Sequence, residues 1–120
     1  MTAVRWVRLD LNYFSNPKIL RVSTPAKLLH LAAICWSGSH LTDGHIPLTV
    51  IPYLLAQAGA TRRHLAELDT ADLVNEIDGD YLVHGYLDMQ DSRQRVLENI
   101  ELARERKRRW KAKQTGDTDA

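Results

Sequence analysis

The chain has 120 residues, 16 Lys and Arg against 15 Asp and Glu, a formal net charge of +1 and 44% hydrophobic residues. That is enough for one small domain with an appended segment and too little for most two-domain enzymes. Cys35 alone builds neither a disulfide framework nor a Cys-rich zinc site, no apolar run approaches the roughly 20 residues that cross a bilayer, and MTAVRWVRLD lacks a signal peptide's apolar stretch, so the expectation is a soluble cytoplasmic protein.

In chain order, VRWVRL over residues 4–9 puts Val4, Trp6 and Arg8 on one face and Arg5, Val7 and Leu9 on the other, the alternation of a short edge strand. Trp6 and Trp36 are expected in the core. Asn16 before Pro17 is a helix cap followed by proline at the first helical position, which predicts one to two turns ending at Val22. Thr24-Pro25 repeats the signal. The run from Ala26 to Ser37 is apolar nearly all round, which predicts a central core helix that Gly38 stops. Asp43-Gly44 marks a turn, and Ile46 a short extended piece after it.

A helix over about residues 49–58 accommodates Pro52 in its first turn, where the missing N–H has no partner to lose, and Gly59 ends it. Thr61 caps the next helix, which runs to about Ala71 with Leu65, Leu68 and Asp72 on one side. LVNEI and YLVHGY around Asp78-Gly79-Asp80 read as a β-hairpin. Residues 91–113 hold no proline or glycine and predict a helix whose stripe of Val96, Ile100, Ala103 and Trp110 is interrupted by Lys107. Residues 114–120 read as a disordered tail.

The near-zero net charge hides a segregation. Residues 1–63 carry +5, residues 64–92 carry eight acids and no Lys or Arg, residues 93–113 carry +6, and the last seven carry −2. Blocks of this kind create local potentials, and a basic block is the electrostatic footprint of a polyanion-binding surface.

Helix, Gly59, capped helix and hairpin follow one another in the order of a winged helix-turn-helix. The segments WVRLDLNYFSNPKILRVS, LLHLAAICW, LTDGHIP and YLVHGYLDMQDSR resemble the winged-helix domain at the N-terminus of phage replication-initiation or replisome-organiser proteins. They also resemble stand-alone helix-turn-helix proteins of actinobacteriophages, over roughly residues 4–110. The resemblance implies a mainly α fold with a small β-hairpin (α+β): a winged helix-turn-helix over residues 1–90 followed by a basic helix over 91–113. It further implies a phage or prophage module that binds double-stranded DNA in replication or transcription control.

Thr61, Arg62, Arg63 and His64 are the candidate DNA contacts at the start of the recognition helix. Backbone N–H groups there meet phosphate, and an arginine there can read a guanine edge. Positive charge at a helix start is otherwise mildly unfavourable, so the placement asks for a reason. Arg104, Arg106, Lys107, Arg108, Arg109, Lys111 and Lys113 form the densest basic cluster, with Glu105 the only acid among them, and predict salt-steep, sequence-tolerant affinity. Val96, Ile100, Ala103 and Trp110 offer a face for packing on the chain's own domain or on a second copy in a homodimer.

Glu67 and Asp69 stand where they repel phosphate, and Glu76, Asp78 and Asp80 make the hairpin a poor minor-groove reader. The alternative reading is therefore a protein-interaction module that engages a host or phage protein through this acidic surface. His40, Asp43 and His45 lie within six residues, but no fourth donor accompanies them, and no metal is expected. No phosphate loop, nucleophile motif or paired-carboxylate site is present, so neither an enzyme nor a cofactor is expected.

Overall fold

The structure, a computed structural model, describes the backbone of residues 5–119 and the side chains of residues 5–114. The chain is mainly helical with one small antiparallel sheet, and it divides into two compact units, Met1–Gln90 and Asp91–Ala120.

Arg5 to Asp10 is irregular, not the edge strand its alternation suggests, and Val4 lies outside the described residues. The backbone of Arg8 finds its partner in a side chain: its N–H donates to Gln90 Oε1 at 2.8 Å and its carbonyl accepts from Gln90 Nε2 at 2.7 Å. With no strand beside it among the described residues, Trp6 is 85% exposed and outside the core, whereas Trp36 is half-buried against it.

Helix α1 spans Pro17–Leu20, shorter than expected; Asn16 Oδ1 accepts from the N–H of Lys18 at 2.9 Å, as the Asn-Pro signal predicts. Helix α2 spans Thr24–His40. Its cap is Ser23, one residue earlier than expected. The helix continues through Gly38 to end at Leu41, whose φ of 55° is left-handed. Gly38 serves a close approach, not a stop: a Cβ there lies 2.6 Å from Val7 Cγ1. The buried residues of α2 are Ala26, Leu29, His30, Ala33 and Ser37, a one-sided stripe at helical spacing, while Leu28 and Cys35 are exposed.

Strand β1 (His45–Ile46) follows, then a tight 3-10 turn at Leu48–Val50, helix α3 (Ile51–Ala58) and helix α4 (Arg62–Thr70). Strands β2 (Val74–Ile77) and β3 (Asp80–Val83) form the expected hairpin around Asp78 and Gly79. Both turn residues have positive φ, 52° and 87°, as a two-residue hairpin connection requires. The sheet order is β1-β3-β2, with Ile46 opposite Tyr81 and Val74 opposite Val83. The second hairpin strand stops at Val83, short of the expected Tyr86, because Gly85 turns the chain at φ 68° into helix α5 (Tyr86–Met89).

The core gathers Ile19 and Val22, the inner stripe of α2, Ile46, Ile51 and Leu54 of α3, Leu65 and Leu68 of α4, and Leu73, Val74, Val83 and Tyr86. Tyr13 and His30 are a buried polar pair within it, with the phenol oxygen 2.8 Å from His30 Nδ1. The second unit is helix α6, Arg93–Asp119. It runs past Lys113 into residues read as tail, because no proline interrupts it and Gly116 alone is a weak breaker.

Candidate nucleic-acid interface

The turn between α3 and α4 is built on Gly59, whose φ of 61° is left-handed and beside which a Cβ would meet nothing within 4 Å. Glycine is needed there for backbone conformation alone. The Ala60 N–H donates to the Leu55 carbonyl at 2.9 Å, closing the end of α3. Thr61 then takes an extended conformation and caps α4. Its backbone N–H donates to His64 Nδ1 at 2.9 Å, so a histidine does the work usually given to Glu or Gln in the reciprocal half of a capping box. An accepting Nδ1 is unprotonated, and the proton of the neutral ring sits on Nε2.

Arg62 and Arg63 occupy the first turn of α4 and are exposed, while Leu65 and Leu68 on the other side of the helix are buried. Among the described residues neither guanidinium makes a hydrogen bond or an ion pair, although Arg63 is near enough to Glu67 to help hold its carboxyl down. Two unpaired cations thus face solvent at the positive end of a helix dipole, where an anion is the favourable occupant.

The acidic block is less free than its charge suggests. Glu67 Oε1 accepts from the Ser23 N–H at 2.9 Å and Oε2 from the Ser23 hydroxyl at 2.8 Å, so the carboxylate of α4 satisfies the first N–H of α2. These bonds, the backbone one foremost, hold its pKa below the usual carboxylate value. Asp80 accepts from the Leu48 N–H at 2.8 Å and lies 3.0 Å from His45 Nε2, tying β3 to the turn that opens α3; the Leu48 bond lowers its pKa first. Asp69 accepts from Asn75 Nδ2, and Asp72 meets Lys18 and His84. Glu76 and Asp78, at the hairpin tip, are exposed acids with no partner among the described residues.

In α6, Arg104, Lys107, Arg108 and Lys111 recur at helical spacing along one side, and Arg106, Arg109 and Lys113 along another, so positive charge wraps the helix. Arg108 pairs with Glu101 at 3.2 Å and Arg109 with Glu105 at 2.8 Å. Of the apolar stripe, Val96 and Ile100 are half-buried, Ala103 is exposed and Trp110 is 59% exposed.

His40, Asp43 and His45 do not converge. His40 Nδ1 bonds the Trp36 carbonyl at 2.9 Å and its ring stacks on Trp36, while His45 turns to Asp80. Among the described residues no helix is long and apolar enough to cross a membrane.

Residues that sequence reasoning passed over include Arg5, whose guanidinium donates to the Gly38 and Ser39 carbonyls at the end of α2, and Arg21, which shares a shallow groove with Arg63. The Ser23–Glu67 pair, 44 residues apart, leaves no local signal in the sequence. Compared with protein-family models, with curated proteins and with solved structures, the chain matches none of them.

Proposed function

We propose that the chain is a winged helix-turn-helix protein of phage or prophage type that binds double-stranded DNA in replication or transcription control. The observation that carries this reading is the start of α4: Arg62 and Arg63 exposed and unpaired among the described residues, at the positive end of a helix whose other side is anchored by Leu65 and Leu68. The element order α2-β1-α3-α4-β2-β3, with β1 pairing the far hairpin strand, supports the same reading. The seven cations between Arg104 and Lys113 of α6 act in this reading as a phosphate clamp that adds affinity without sequence preference.

Fluorescence anisotropy of a mixed-sequence duplex, repeated over a range of salt, tests it. Binding should weaken steeply with salt, by a log–log slope of about 0.9 per phosphate contact. Arg62→Ala with Arg63→Ala should weaken it further, and Arg104, Arg106 and Lys107 changed together to glutamine should flatten the slope. A double variant at Arg62 and Arg63 that binds as well as the unaltered chain at moderate salt refutes the α4 interface.

The exposed Glu76 and Asp78 favour a second, narrower reading, in which the hairpin tip meets a basic protein partner. Reversing both charges separates the two: loss of a protein partner with DNA binding intact assigns the tip to that role.

A further inference from the structure

Between the α1–α2 corner and α4 lies an open groove of about 360 Å3. Its lining brings Arg21 and Val22 of the corner together with Arg63, Ala66 and Thr70 of α4 and Ala71 after it. Both arginines are exposed, and among the described residues neither guanidinium makes a hydrogen bond or an ion pair. The one acid in the groove, Glu67, bonds Ser23 through both oxygens and keeps its charge beside Arg63, so two guanidiniums stand against one carboxylate and the lining is net positive.

We infer that this groove seats a phosphate of the duplex backbone, with Arg21 of the α1–α2 corner and Arg63 of α4 both donating to it. The inference rests on the DNA-binding reading and extends its interface from α4 to the α1–α2 corner. The chemistry follows from the parts. Guanidinium forks are the side chains best matched to phosphate oxygens, and two of them lining one open groove accept a continuous, rod-like polyanion that an enclosed pocket would exclude. A contact to a phosphate positions the duplex and carries no sequence information.

The test is anisotropy of the full chain against two mixed-sequence duplexes of different composition, over a salt series, for Arg21→Ala, Arg63→Ala, both together, and Arg21→Lys. Arg21→Ala should weaken binding about three- to tenfold, equally on both duplexes, and lower the salt slope by about 0.9. Arg21→Lys should keep the slope. The pair should lose less than the product of the single losses, because both groups act on one phosphate. Arg21 is exposed and outside the core, and unchanged far-UV circular dichroism checks the fold of each variant. If Arg63→Ala weakens binding while Arg21→Ala leaves affinity and slope unchanged, the groove contact is wrong and the α4 reading survives. Absence of duplex binding by the unaltered chain overturns both.

Discussion

His30 offers a stability change that is readable without any ligand. The residue is 7% exposed, its ring stacks against Tyr13 with centroids 5.7 Å apart, and its Nδ1 lies 2.8 Å from the Tyr13 phenol oxygen in a hydrogen bond. Burial lowers its pKa from 6.5 to about 4 and raises that of Tyr13 to about 12, so near neutrality the pair is a neutral phenol and a neutral imidazole sharing one hydrogen bond. The unfolded chain takes up a proton near pH 6.5 and the folded one only near 4, so the unfolded state binds more protons between those values. Stability is therefore full above about pH 6.5 and is lost as the pH falls toward 4. At 1.36 kcal/mol per unit the whole window is worth about 3 kcal/mol, of which about 2 is gone by pH 5. That is a large share of the 5–15 kcal/mol typical of a domain. Urea midpoints measured from pH 7 to pH 5 should fall for the unaltered chain and stay nearly level for His30→Gln, which cannot titrate. Glu67 and Asp80, with lowered pKa values, lose their contributions only at more acidic pH, which keeps the two effects apart. Equal pH dependence of the two proteins over that range, or a His30 ring that titrates near 6.5 by NMR in the folded chain, refutes the reasoning.

Glu67→Ala should cost about 1–2 kcal/mol in urea unfolding, because it leaves the Ser23 N–H at the start of α2 without its acceptor, and Glu67→Gln should cost less. Gly59→Ala should cost about 1–2 kcal/mol from backbone conformation alone, since the space beside it is open; a neutral result would mean the turn re-forms with another geometry. Leu68→Ala, at a position fully buried between α4 and the core, should cost 2–5 kcal/mol, with the measured value reporting how far the core closes over the gap.

The local signals in the sequence carry much of the fold. Asp78-Gly79, Gly59 and Asn16-Pro17 each demand a backbone conformation that few residues tolerate, and each stands at the turn, end or cap expected of it. The start of α4 was legible for the same reason: Thr61, Arg62 and Arg63 are read from a cap and the charges after it. What was not legible depends on partners far away in sequence. The alternation in VRWVRL is the same whether a sheet edge waits beside it or a glutamine 82 residues on, and only the latter is there. Gly38 reads as a helix stop until Val7 is seen against it. The charge of residues 64–92 overstates the free acid for a similar reason, since Ser23 and the Leu48 N–H engage two of its carboxylates from outside the block.

The amide of Gln90 clasps the backbone of Arg8, and Arg8 Nη1 reaches the Met89 carbonyl at 3.0 Å, so the first described segment and the last turn of the same unit hold each other across 82 residues. Closing so long a loop is entropically expensive before the intervening core exists, which places the clasp among the last contacts to form in folding. For the same reason it is the first to open. Exchange of the Arg8 amide should follow a local release with its own small free energy, well ahead of the amides of α2, and a chain caught in that open state would have shed its two ends together while its core was still closed.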